Sequence, residues 1–597
     1  MKLGLHWFLL LCSCERALQR EIPRGLIPRN LLYDRENALG SPKLSATAEY
    51  LSYTRLVYSS GTKKRWAFVE FWVIRVADLL RDGGFDAAHC LRNASAKTSN
   101  QTRISGHHKE YAQLSSGPPD FNKTIVFTDR SPASNLVKWH YHAPNAANGY
   151  DEGIYWLDSN DQGLGRLRYQ RWNESLSQAQ VLHVNERVGY RLMSVLYHPV
   201  TGWPHFVYEH YNRTKITHLR LHEHWNDSRA RFVQAAAVRE QIEHWKRVEP
   251  DGSYLIESYD TDLKNLIVRV DHPIRPNRYY FYSPDEPAGQ RMRFLFSEQP
   301  SLENITGLSP KRSIEVPTRD GDNMHCFLTL PIGASLRHGG GLVSSPQPMV
   351  LYVHGGPHAH DRHHFDFKVQ QLANRGMAVL QCNFRGSSGY GFAWESAGYK
   401  EYGGRMQRDL YDAVDYAVSS GIADPNRLAI AGGSYGGYAA MLALVNNTSN
   451  FQCGVSMAGM SNLAQHFGSK PSIVEQSDSD KRADAAWQLA RSPATHADQI
   501  RKPLLLMHGR RDRVVRPEQS DWMAARLRNS STPFDYIILE EAGHSLLSTE
   551  YRLLKALEEE FLGRCLNLTY EPLSVKEFCS EKIKVNATNL LELPKCD

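Results

Sequence analysis

The sequence predicts a multidomain β plus α/β protein, with an N-terminal all-β domain followed by a doubly wound, mostly parallel sheet. Three observations lead there. The chain has 597 residues, more than one ordinary domain. Between residues 43 and 310, short apolar runs recur between turn residues, the rhythm of antiparallel strands. From residue 311 to 566, longer apolar runs alternate with helical stretches, as in a parallel sheet covered on both faces.

In the first half the strand candidates are 153–157, 192–197, 205–208, 216–221, 254–256, 266–270 and 279–282. Their number over this length predicts a β-propeller, at four strands and about 40 residues per blade, hence about six or seven blades. No clean repeat motif marks the blades, and a pair of β-sandwiches is the alternative. In the second half, 378–382 reads as a buried strand. Residues 404–420 read as a helix, with Met406, Leu410, Val414 and Val418 on one face and Gly421 as its stop. Strands follow at 428–431, 454–457, 503–507 and 534–539, with helices at 518–528 and 551–563. Residues 567–597 read as a polar C-terminal extension.

The chemistry concentrates at the ends of these strands. Leu428-Ala429-Ile430-Ala431 runs into Gly432-Gly433-Ser434-Tyr435-Gly436-Gly437 and then a helix start. A serine between glycines on a strand-to-helix turn is the context of a nucleophile elbow, because larger neighbours would collide on so sharp a bend. The turn exposes the hydroxyl and aims the first N–H groups of the helix at a developing oxyanion. An acid and then a histidine should follow. Asp512 lies just beyond the 503–507 strand and His544 just beyond the 534–539 strand. In this arrangement Ser434 attacks, His544 moves the proton and Asp512 fixes the imidazole, within an α/β-hydrolase fold. Met349-Val350-Leu351-Tyr352-Val353 leads into His354-Gly355-Gly356-Pro357, a glycine turn of the kind that gives the second oxyanion donor. The backbone N–H groups of Gly356 and Tyr435 are therefore the candidate oxyanion hole. The nearby His360, His363 and His364 match no zinc spacing, and neither metal nor cofactor is called for.

Composition narrows the partners. Hydrophobic content of 41% with 22% charged residues fits globular cores. A net charge of +6, scattered among acids, gives no nucleic-acid footprint. Residues 1–14 resemble a short secretory signal, and no other apolar run approaches the length of a membrane span. Sequons are abundant, among them Asn93, Asn122, Asn173, Asn212 and Asn304, with others such as Asn446, Asn447, Asn529 and Asn567. These features predict a secreted or secretory-pathway protein, with a cytoplasmic location as the alternative. Of nine cysteines, Cys382 and Cys453 sit in apolar strands and read as buried thiols. Cys565, Cys579 and Cys596 cluster in the tail, where one disulfide is expected and its pairing stays open.

A β-rich domain ahead of this hydrolase pattern resembles the prolyl oligopeptidase family of serine peptidases. The stretches that carry the resemblance are Tyr352-Val353-His354-Gly355-Gly356-Pro357, the run from Asn383 to Gly391, Gly433-Ser434-Tyr435-Gly436-Gly437-Tyr438, and Ser492-Pro493 through His508-Gly509. The His-Gly-Gly-Pro form looks closer to acylaminoacyl-peptidase-like and bacterial oligopeptidase members than to the dipeptidyl-peptidase branch. The resemblance implies cleavage of short peptides by Ser434, Asp512 and His544, with the propeller screening substrates by size. It also implies substrate contacts from Tyr435 and Tyr438, and it allows a homo-oligomer. Departures stand beside it. No Glu-Glu pair precedes residue 310 to hold a free amino terminus. Leu463 and His466 stand where proline-specific members tend to carry aromatic rings, Val514 where they carry a polar carbonyl anchor, and Arg513 reads as a surface charge. A dipeptidyl-peptidase-like exopeptidase, a carboxylesterase on the same fold and a catalytically silent homologue are the competing readings.

Overall fold

The computed structural model describes separate strands between residues 43 and 219. It then describes residues 235–260, 263–303, 305–334, 343–468, 486–546 and 548–579, with 583–594 in part. The leader candidate at 1–14 and the sequons Asn93, Asn122, Asn173, Asn212 and Asn304 lie outside the described residues.

The N-terminal half is built of small antiparallel sheets from consecutive strands. One holds Gly153–Ser159, Gly165–Arg171 and Gln180–Val184. A second holds Arg191–Tyr197, Pro204–His210 and Thr214–His218. A third holds Ser253–Tyr259, Leu266–His272, Arg275–Tyr282 and Met292–Ser297. The last two share one core, where Phe206, Tyr208 and Ile216 join Tyr254, Val268 and Tyr280. A helix not anticipated in an all-β half, α1 (Ala235–Val248), lies between them in sequence. Its Trp245 is fully buried against Tyr254 and Tyr282.

The C-terminal half is organised by one nine-stranded sheet. Its strands are β1 (Lys311–Pro317), β2 (Asn323–Thr329), β3 (Gln347–Val353), β4 (Ala378–Cys382), β5 (Ala423–Gly433), β6 (Cys453–Met457), β7 (Leu504–Gly509), β8 (Phe534–Leu539) and β9 (Ile583–Ala587). The spatial order is β1-β2-β4-β3-β5-β6-β7-β8-β9. From β4 through β8 every pairing is parallel, and antiparallel strands close both edges.

The period of two along each strand divides the core. Met349, Leu351 and Val353 of β3 face one cluster, shared with α3 (Arg405–Ser419), α4 (Tyr435–Asn446) and α5 (Glu518–Leu527). Val350 and Tyr352 face the other, shared with α2 (Phe367–Asn374) and α6 (Ser548–Cys565). Both faces are therefore buried, which is why the central strands read as unbroken apolar runs.

Three expectations are corrected. Cys382 and Cys453 are not thiols: Cys382 is bonded to Cys326 and Cys453 to Cys565. The first pair follows from the sheet order, which puts Cys326 of β2 opposite Cys382 of β4. Cys579, in the tail, is also disulfide-bonded. The tail is not simply a polar extension, because β9 adds to β8 and continues the sheet. Beyond it, the backbone N–H groups of Leu590 and Leu591 donate to the fully buried Asp535 carboxylate, at 3.1 and 2.8 Å.

Candidate active site

All candidate catalytic side chains lie just past the carboxyl ends of neighbouring parallel strands, where open α/β sheets place their sites. Ser434 follows β5 with φ 58° and ψ −117°, a conformation few non-glycine residues adopt. Such a residue costs roughly 1–3 kcal/mol and persists only where its surroundings over-determine it. Here its N–H donates to Met457 O at 2.8 Å, and its carbonyl accepts from Tyr438 N–H at 3.1 Å. Close backbone packing holds the turn from the other side. An ideal Cβ on Gly436 would stand 2.0 Å from Val353 O, so α4 starts in contact with the end of β3.

Asp512 lies in the loop after β7, 4% exposed. Its Oδ1 accepts the N–H groups of Val514 at 2.8 Å and Val515 at 3.0 Å. Its Oδ2 accepts Nδ1–H of His544 at 2.6 Å. Burial alone would raise this carboxyl, but hydrogen bonds from His508 and His544 outweigh it and hold the group well below the usual carboxylate range. With Nδ1–H committed to Asp512, His544 leaves Nε2 free to accept a proton.

Asp512 and His544 are thus in direct contact. Among the described residues neither Ser434 Oγ nor His544 Nε2 makes a hydrogen bond.

The glycine turn after β3 lies against the elbow. An ideal Cβ on Gly355 would be 3.1 Å from Gly433 O and 3.4 Å from Ser434 Cβ. Gly356 is the next residue of that turn. Tyr435 opens α4, where an N–H group has no partner within the helix. The turn that carries Gly356 and the helix that Tyr435 opens therefore both adjoin the serine.

The side chains of Tyr435 and Tyr438 are a different matter, and the substrate-binding role expected for them is corrected. Both are 0% exposed. Tyr435 stacks on Phe384, with ring centres 5.2 Å apart, and meets Tyr402 edge-on at 5.1 Å. Tyr438 donates its hydroxyl hydrogen to Arg491 O at 3.1 Å. These rings belong to the core beneath the elbow and are not a wall that a ligand touches. Leu463 is fully buried too, whereas Phe467, which the sequence reading passed over, stands half-buried against Tyr402 and His466. Val514, 44% exposed, and Arg513 face solvent beside Asp512.

The histidines after the glycine turn serve the loop. His360 meets Ser388 Oγ at 3.1 Å, His363 the Lys311 carbonyl at 3.0 Å and His364 the Arg362 carbonyl at 3.1 Å. Among the described residues no three histidine, cysteine or carboxylate side chains gather as a metal site would require.

Residues 363–569, which contain Ser434, Asp512 and His544, match the family model described as prolyl oligopeptidase family. This stretch of the C-terminal half is thus similar to that family. Over 376 residues the chain is 37% identical to dipeptidyl aminopeptidase BIII of Pseudoxanthomonas mexicana, covering 59% of this chain and 54% of that protein. Over 311 residues it is 26% identical to the acylamino-acid-releasing enzyme of Homo sapiens, covering 50% of this chain and 42% of that protein. The chain therefore spans about half the length of the curated relatives it matches.

Among solved structures, a puromycin-hydrolysing peptidase of Mycobacterium tuberculosis aligns over 90% of this chain and 71% of its own, with TM-score 0.56 and 19% identity. An uncomplexed acylaminoacyl peptidase of Pyrococcus horikoshii aligns over 92% and 99%, with TM-score 0.54 and 15% identity. At these identities the likeness is one of fold.

Proposed function

We propose that this chain is a serine peptidase of the prolyl oligopeptidase family that hydrolyses short peptides through Ser434, His544 and Asp512. The observation that carries the reading is the Asp512–His544 hydrogen bond formed two strands from a strained serine elbow. Ser434 Oγ attacks the scissile carbonyl as His544 Nε2 takes its proton, and the imidazolium is held by Asp512. The Gly356 and Tyr435 N–H groups receive the oxyanion. His544 then returns the proton to the leaving amine, and water repeats the sequence to release the acyl group. No cofactor enters these steps.

The β-rich half acts as a propeller that screens substrates by size. Its run of consecutive antiparallel sheets supports this, and the boundary with the catalytic domain then falls between Ser297 and Lys311. The protein works in the secretory pathway. The disulfides and the exposed sequons at Asn446, Asn447, Asn529 and Asn567 support this location.

Both acylaminoacyl-peptidase and dipeptidyl-peptidase activities are in view, the second favoured by the names of several relatives. Cleavage profiling of a peptide library with free and acetylated amino termini side by side decides between them. Release of dipeptides from free termini alone establishes the dipeptidyl reading, and release of acetylated residues the acylpeptidase reading. Turnover of a p-nitrophenyl ester without any amide turnover replaces both with an esterase.

A further inference from the structure

One fully buried imidazole beside the candidate triad has no role in the steps above. His508 is the penultimate residue of β7 and is 0% exposed. Its Nε2 lies 3.0 Å from the Val515 carbonyl oxygen and 3.4 Å from Asp512 Oδ2. Both neighbours are acceptors, so Nε2 carries the proton. Nδ1, 2.7 Å from Ser520 Oγ, then accepts the serine hydroxyl. One side chain thereby ties together the end of β7, both limbs of the loop that carries Asp512, and α5.

We propose that His508 is a positioning residue for the triad: its Nε2–H, shared between Val515 O and the Asp512 carboxylate, fixes the Asp512 conformation that receives His544. The proposal rests on the triad reading. Asp512 Oδ1 is already held by two backbone N–H groups, so His508 is what restrains the carboxylate on the Oδ2 side, next to the His544 bond. The depressed carboxyl of Asp512 agrees with a donor aimed at it from each histidine. The other charges near this loop are engaged with one another or with solvent. Arg510 pairs with Asp521 of α5 and with Glu540, Arg511 pairs with Glu541, and Arg513 is exposed.

The consequence has a sign. An N–H directed at the carboxylate stabilises its anion. Without that N–H the anion is more basic and holds the His544 proton more tightly, so the acid limb of the rate profile moves to higher pH. A residue that merely filled space would lower stability and leave that limb where it was.

The test uses the full chain and a fluorophosphonate probe, whose labelling rate is followed against pH. His508→Gln keeps a donor at about the reach of Nε2, whereas His508→Asn does not reach Val515 or Asp512. His508→Asn is expected to label about tenfold more slowly at neutral pH, the loss of about one directed hydrogen bond, with its acid limb shifted upward. His508→Gln is expected to stay within about threefold of wild type, with the limb unmoved. Equal slowing of both variants with no movement of either limb overturns the proposal, as does wild-type labelling by His508→Asn. Ser520→Ala removes the partner of Nδ1 with little loss of volume and serves if His508→Asn fails to fold. It should slow labelling about threefold with an upward shift, and unchanged labelling overturns the proposal. Failure of the triad reading looks different, because the wild-type protein itself then does not label at Ser434.

Discussion

Gly436→Ala asks how tightly the backbone around Ser434 is set. The added Cβ would stand 2.0 Å from Val353 O, 2.9 Å from Val353 C and 3.2 Å from His354 O. All three are backbone atoms, so no side chain can swing away. Reaching even the 3.0 Å floor for such contacts requires the start of α4 and the end of β3 to part by about 1 Å (3.0 less 2.0). That motion separates the Tyr435 N–H from the Gly356 turn and moves Ser434 relative to His544. A misplacement of about 1 Å can cost about 100-fold in rate. Stability suffers less, because overpacking costs about 1–3 kcal/mol while alanine regains about 1 kcal/mol of helix propensity. The variant should therefore fold, melt a few degrees lower and label with a fluorophosphonate about 100-fold more slowly. Gly289→Ala, where a Cβ meets nothing within 4 Å, is the control and should behave as wild type. Labelling of Gly436→Ala within threefold of wild type would refute the claim that this packing sets the geometry of the site.

Further outcomes follow from the same geometry. Asp512→Asn should lower turnover by about 10³–10⁴-fold, since the His544 tautomer is no longer enforced. Because the Asp512 carboxyl is depressed in the folded protein, its contribution to stability is complete above the ordinary carboxylate range and is lost as pH falls below about 4. Melting curves of wild type and Asp512→Asn should accordingly converge on acidification, and a constant gap from pH 7 to pH 3 would count against this. Replacing both Cys453 and Cys565 by serine opens a loop spanning 112 residues. This should cost about 4–5 kcal/mol, read as a lower midpoint in denaturant than the oxidised wild type. Removing residues 580–597 strips β9 and the Leu590 and Leu591 donors from Asp535, so the melting temperature should fall.

How much the sequence revealed depended on what each stretch buries. Strand Ala378–Cys382 was legible to the residue because it is covered on both faces and reads as an unbroken apolar run. The elbow serine, the acid and the histidine stood out as candidates because each follows such a strand in chain order. Strand β9 was not, because Lys584 and Asn586 give an edge strand the composition of a loop. The helix Ala235–Val248 was passed over because its neighbours on either side are strands, although its Ala-Ala-Ala start favours helix. Disulfide pairing needs the order of strands in space: Cys326 and Cys382 are 56 residues apart in sequence yet register partners across β2 and β4. Tyr435 and Tyr438 were assigned to substrate by their place beside the serine. Phe384 and Tyr402, which bury Tyr435, come from more distant segments, so that packing carries no local signature.

The central claim is that Ser434 is the activated nucleophile. It is tested most directly by treating the folded full chain with a fluorophosphonate and locating the adduct by peptide mass spectrometry. A single modified peptide containing Ser434, absent from Ser434→Ala, is the predicted result. An adduct elsewhere, or none on folded protein, would contradict it.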